Sequence, residues 1–179
     1  MANRANHIFP ECYVDTNIMK TILHVDGVNH HHSCTKIISD MEKGRFADTF
    51  AIGIIDDDKK KPSGVLKFEK LEQIGHLTLM KHPKKHHYLI VVSKAAEDFM
   101  LACAEEAGLK MEDFNLPSSL EQLKEVTKDS ESDCEPRVTR LIKAVRRVSE
   151  MERLERTLRY LQQYQYSTNL AELVSVFRG

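Results

Sequence analysis

Residues 50–58 read FAIGIIDDD, and this run decides the fold class. Its first six residues are apolar on both faces, the pattern of a central strand buried between helices. Asp56, Asp57 and Asp58 follow at once, so they stand at the strand's C-terminal end. In open α/β sheets that edge is where ligands bind. In extended chain Asp56 and Asp58 face one way and Asp57 the other. Two carboxylates at that spacing can hold a hard divalent cation such as Mg2+. A polar turn after a strand is the plainer reading of the same residues.

Upstream, residues 7–12 (HIFPEC) form a candidate strand that Pro10 makes irregular or places at an edge. Asp15 and Thr16 open a helix carrying Ile18, Met19, Ile22 and Leu23, broken at Asp26 and Gly27. Ser33 caps a second helix with Ile37, Ile38 and Met41, ended by Gly44. Downstream, residues 59–64 (KKKPSG) read as a loop and 65–74 as a short helix. Residues 76–80 and 87–92 read as two strands, a hairpin turning at Pro83, Lys84 and Lys85. Residues 95–107 are a strong helix, 120–127 another, and 128–135 (KDSESDCE) an acidic link. Residues 137–164 predict one or two helices and 170–176 a last one.

Strands and helices interleave up to about residue 107, which argues for an α/β layer fold, and only helices follow. The expected organisation is an α/β domain over residues 1–110 and an α-helical C-terminal extension over 111–179. That extension would be a lid, a packing arm or an oligomerisation element.

With 179 residues, 41% of them apolar, the chain is long enough to bury a core. Its 26 basic and 27 acidic residues leave a net charge of −1, which excludes a histone-like binder held by charge alone. No run is long enough to span a membrane and residues 1–11 lack a signal peptide's pattern, so a cytoplasmic, non-membrane protein is expected. Cys12, Cys34, Cys103 and Cys134 are scattered without a CxxC pair, which fits a reducing compartment.

Glu11 ends the first candidate strand and Asp15 opens the next helix. If the two strands are parallel neighbours, both carboxylates join Asp56 and Asp58 at one sheet edge. Such a group repels itself without cations. A helix cap is the plainer role for Asp15.

Glu at the end of a first strand, Asp four residues later, then DxD after a hydrophobic strand resembles the TOPRIM domain of topoisomerases, primases, small maturases and OLD-type nucleases. PECYVDTNIMKTIL (10–23) is similar to the family's opening and AIGIIDDDKK (51–60) to its DxD strand. LIVVSKAAEDFMLA (89–102) is similar to a later strand followed by a Glu that begins a helix. The resemblance covers residues 7–107 and departs from the pattern at Cys12, where the family has Gly. Cys12 reads as a packed thiol.

The resemblance implies a TOPRIM-like Rossmannoid sheet flanked by helices, and Mg2+- or Mn2+-dependent hydrolysis of nucleic-acid phosphodiesters. It implies Glu11, Asp15, Asp56, Asp58 and Glu97 as metal ligands, with Glu11, Asp56 and Asp58 as the catalytic set and Glu11 as general base or acid. Lys59, Lys60 and Lys94 are candidates to hold the phosphate, with Lys61, Lys84 and Lys85 nearby in sequence. DNA or RNA is the implied substrate, an ATPase an implied partner, and anti-phage defence an implied setting. No active-site tyrosine domain or zinc ribbon accompanies it, which argues against a complete topoisomerase or primase. The alternative is a catalytically inactive TOPRIM-like module that docks a partner such as an ATPase. Haloacid-dehalogenase-like phosphatases also use DxD, but on the first strand, whereas here a strand and Glu11 come earlier.

Two histidine groups, 30–32 and 82, 86 and 87, invite a zinc reading. Consecutive histidines in extended chain alternate sides, so at most two of 30–32 share a face. Exposed loop histidines are the expectation, with either group able to touch a phosphate. In the last third, Arg137, Arg140, Lys143, Arg146, Arg147, Arg153, Arg156 and Arg159 make a basic face. It is read as solvated or as a grip on a nucleic-acid backbone. The opposing stripe, Leu141 to Leu161, is core packing or the seam of a homo-oligomer.

Overall fold

The computed structural model describes residues 4–57, 61–128 and 135–179. Its strands are β1 (Arg4–Ala5), β2 (Ile8–Pro10), β3 (Gly27–Val28), β4 (Ala51–Asp56), β5 (Glu69–Ile74), β6 (Leu77–Lys81) and β7 (His87–Val92). Its helices are α1 (Tyr13–Leu23), α2 (Cys34–Glu42), α3 (Ala96–Glu106), α4 (Leu120–Thr127), α5 (Pro136–Ala144), α6 (Ser149–Tyr164) and α7 (Leu170–Arg178). Five strands form one mixed sheet in the order β2-β4-β7-β6-β5, and β1 and β3 pair separately. β2, β4 and β7 run parallel, whereas β6 and β5 are antiparallel additions.

Strand alternation divides the core into two layers. Ile52 and Ile54 of β4, with Tyr88, Ile90 and Val92 of β7, face α1, α3 and the C-terminal helices. Ala51 and Ile55, with Leu89 and Val91, face Ile37, Ile38 and Met41 of α2. Gly53 lies on the α2 side. A Cβ there would meet Leu89 Cδ2 at 2.6 Å, Ile37 Cγ2 at 3.1 Å and Met41 Sδ at 3.2 Å. The glycine lets α2 settle directly on the sheet.

The expected helix over 65–74 is corrected. Val65–Lys67 is one 3-10 turn and Glu69–Ile74 is strand β5. EKLEQI contains good helix formers, but its pairing to β6 outweighs propensity. The β5–β6 hairpin turns at Gly75, whose φ of +57° is open to glycine at no steric cost. Its charged side chains suit an exposed sheet edge. The 76–80 and 87–92 hairpin is observed as β6 and β7. Residues 137–164 resolve into α5 and α6, separated by a turn that buries Val145 and Val148.

The stripe from Leu141 to Leu161 packs in the chain's own core beside α1 and α3, so its role is core packing. Four arginines of the basic face are used locally. Arg146 and Arg159 donate to Ile22 O at 3.2 and 2.7 Å, satisfying a carbonyl at the C-terminal end of α1. Arg153 and Arg156 do the same for Phe177 O at the end of α7, at 2.9 and 3.2 Å. Among the described residues no helix is long and apolar enough to cross a membrane.

Gly53→Ala should therefore destabilise the chain by about 1–3 kcal/mol, the usual cost of overpacking a filled core. Denaturant unfolding measures this, and a neutral result would mean that α2 shifts freely.

Candidate functional site

The parallel strands end together. The Glu11 amide donates to Ile54 O at 3.0 Å, carrying the β2–β4 ladder one residue past Pro10. Asp56 is in register with Val92, and the Asp57 amide continues the ladder to Val92 O at 2.9 Å. Asp56 shares the alternation of Ile52 and Ile54, which directs it to the α1 and α3 side. There its Oδ1 accepts from the Ala96 amide at 3.1 Å. Ala95, at the N-cap of α3, has no side chain able to do this, so Asp56 caps the helix from a neighbouring strand. The Asp56 amide in turn donates to Glu11 Oε2 at 3.0 Å.

Helix α1 starts earlier than its sequence suggests. Cys12 is the N-cap, its Sγ accepting from the Asp15 amide at 3.3 Å, and Asp15 lies in the first turn. Asp15 is thus not the cap. Its carboxylate turns inward and receives the Cys12 thiol at 3.1 Å. Glu97, in the first turn of α3, accepts from Thr127 Oγ1 at 2.6 Å, which ties it to the last turn of α4. Glu11, Asp15 and Glu97 are only 6%, 1% and 9% exposed.

Cys12 Sγ and one carboxylate oxygen each from Asp15 and Asp56 lie within 4.8 Å of one another, a spacing that could hold a metal ion. The cleft in front of them has a volume of about 250 Å³. Glu11, Asp56 and Glu97 line it together with Tyr13 and His32, and with Lys124, Thr127 and Lys128 from the end of α4. Burial first, and then the charges of Glu97 and Glu11, push the Asp15 carboxyl up to about 7 against the opposing pull of the Cys12 bond. Burial and the same acidic surroundings push the Cys12 thiol well above its usual range. Cys12 is therefore a protonated donor to Asp15 at neutral pH.

Of the residues expected from sequence, Glu11, Asp15, Asp56 and Glu97 meet at this edge. Asp58, Lys59 and Lys60 lie outside the described residues. Asp57 turns to Lys61 at 2.8 Å. Lys94 has a φ of +62° and reaches Asp98 at 3.6 Å, outside the cleft lining. Lys84 and Lys85 sit in the turn that leads into β7, at the opposite edge of the sheet from Asp56. His82, His86 and His87 share that far edge, and His87 is buried with Nε2 on Phe46 O at 2.8 Å, unlike the exposed histidine expected. Sequence reading missed Lys124, Thr127 and Lys128. Their spacing along LKEVTK places them at successive turns of one helix end, the available signal.

No family model, curated protein or solved structure matches the chain.

Asp15 binds its proton more tightly in the folded chain than at its ordinary value of 3.8. Its contribution to stability is whole below that value and is lost as pH rises through about 7. The melting temperature of metal-free protein should fall as pH is raised across this interval, and Asp15→Asn should flatten the fall. An unchanged slope in that variant would assign the pH dependence to other groups.

Proposed function

We propose that the chain is a divalent-metal-dependent hydrolase of nucleic-acid phosphodiesters, with Mg2+ or Mn2+ as its ion. The observation that carries this reading is the convergence of Glu11, Asp15, Asp56 and Glu97 at the C-terminal edge of three parallel strands. The resemblance to TOPRIM domains supports the same chemistry and supplies the substrate class.

The donor set fits such an ion. Carboxylate oxygens are hard ligands of the kind Mg2+ and Mn2+ prefer. The one soft atom, Cys12 Sγ, keeps its proton and is engaged as a donor to Asp15, so it does not compete as a thiolate. Asp15, Asp56 and Glu11 would hold the ion, with Glu97 beside them. A bound ion supplies charge neutralisation at the phosphate and an activated water.

The chain's own residues do the positioning. Glu11 fixes the Asp56 backbone, Asp56 locks the start of α3, and Thr127 orients Glu97. Lys124 and Lys128 line the same cleft as the carboxylates and add positive charge for a phosphate's remaining oxygens. The cleft is open, as a polymeric substrate requires.

The test is cleavage of labelled single- and double-stranded DNA and RNA with Mg2+ or Mn2+ and with chelator. Cleavage is expected with either ion and none in chelator. Asp56→Asn should lower the rate by about 100-fold or more, since losing a carboxylate that holds the ion costs at least the upper range for disturbing an outer partner. Asp57→Ala, whose carboxylate turns to Lys61, should keep it. Inactivity on every substrate would favour the docking module over the hydrolase.

A further inference from the structure

Segment 29–32 runs alongside β2. The Asn29 amide donates to Ile8 O at 2.8 Å and the His31 amide to Pro10 O at 3.0 Å. An extended chain alternates its side chains, so His30 and His32 share one side and His31 takes the other. His31 stacks on Phe9, ring centroids 5.5 Å apart, and reaches Asp40 at 3.4 Å. His30 stacks on Tyr13 at 4.4 Å, and His32 meets the same ring edge-on at 5.6 Å. His32 lines the cleft with Glu11 and Asp56.

The hydrogen bonds behind His32 set its tautomer. Thr16 Oγ1 donates its single hydrogen to Cys12 O at 2.9 Å, the backward bond of a helical threonine. At the 2.7 Å contact with His30 it can then only accept, so the proton sits on His30 Nδ1. In the neutral ring His30 Nε2 then carries the lone pair. Across 3.4 Å it accepts from His32 Nδ1. His32 Nε2 is thereby left unprotonated, and the second nitrogen of a ring anchored through its first is the usual proton-handling atom.

We infer that His32 is the catalytic proton acceptor of the cleft, with His30 and Thr16 as positioning residues. The inference rests on the hydrolase reading above. Glu11 is less suited to this task, because its Oε2 already accepts the Asp56 amide. In the step assigned to His32, the oxygen of a water molecule bonds to phosphorus and its proton passes to Nε2. The ester P–O bond breaks with its electron pair on the leaving oxygen, which takes a proton from solvent. The imidazolium then returns its proton to solvent. The charged groups around His32 are Glu11 and Asp56 at the strand ends, Glu97 on α3, and Lys124 and Lys128 at the end of α4; Tyr13 on α1 is the neighbouring phenol.

The experiment measures kcat against pH for wild type, His32→Gln and His30→Gln in Mn2+, with melting temperature and Mn2+ affinity recorded for each. His32→Gln is expected to lose about 100-fold or more in kcat, as removal of a general base does. Its melting temperature and Mn2+ affinity should be unchanged. His30→Gln should lose about 10-fold, the scale of an orienting partner. Long-range 1H–15N spectra of the wild type should show the His32 proton on Nδ1. Full rate in His32→Gln or a His32 proton on Nε2 would overturn the inference and leave the hydrolase reading standing. A wild type that cleaves no substrate would overturn the hydrolase reading, and the catalytic role of His32 with it.

Discussion

The hydrogen bond from the Asp56 amide to Glu11 Oε2 joins the ends of two parallel strands, and the geometry of the cleft follows from it. It holds where it does because β2, β4 and β7 pair in parallel and finish at one height. Asp56 passes the constraint on by taking the Ala96 amide, which seats α3 against the same edge. Glu97 follows from that seat, and Thr127 from Glu97. Four elements distant in sequence are thus registered by a short run of backbone and carboxylate contacts. Antiparallel neighbours could not do this, since their ends alternate between edges.

Gathering carboxylates out of water is costly, and the chain meets the cost in several ways. Two helices, α1 and α3, begin at the cleft, and their positive ends favour negative charge. Donors are supplied by backbone at Asp56 and Ala96, by the Thr127 hydroxyl and by the Cys12 thiol. Asp15, the most enclosed carboxyl, answers by holding its proton up to about pH 7. Cys12 contributes twice, capping α1 through its sulfur and donating to Asp15. Glycine at that position could do neither.

The helices after the sheet carry much of the chain's positive charge, and their arrangement is chiefly structural. Four arginines of the α5–α6 region satisfy terminal carbonyls of α1 and α7, while Glu155 bridges Arg146 and Arg159 at 2.6 and 2.8 Å. Thr139 bonds to Asn17 at 3.0 Å and docks α5 on α1. The far side of the molecule is thereby bound to the helix that opens the cleft.

By itself the sequence determined the elements whose signal is local. FAIGII is a buried strand wherever it packs, and the acidic run after it belongs at that strand's end. Helix α2 is legible from its Ser33 cap and apolar spacing, α3 from its apolar spacing, and Glu11, Asp15, Asp56 and Glu97 from their places at element ends. Tertiary structure decided the rest. β5 became a strand because β6 offered a ladder to residues that would otherwise suit a helix. Arg146, Arg153, Arg156 and Arg159 of the basic stripe became carbonyl caps because α6 packs across the ends of α1 and α7. Lys124, Thr127 and Lys128 reach the cleft only through the seating of α4 on α3. His30 and His32 differ from His31 only because segment 29–32 lies extended against β2. Such roles depend on which surfaces meet, and periodicity along one segment carries no information about the segment packed against it.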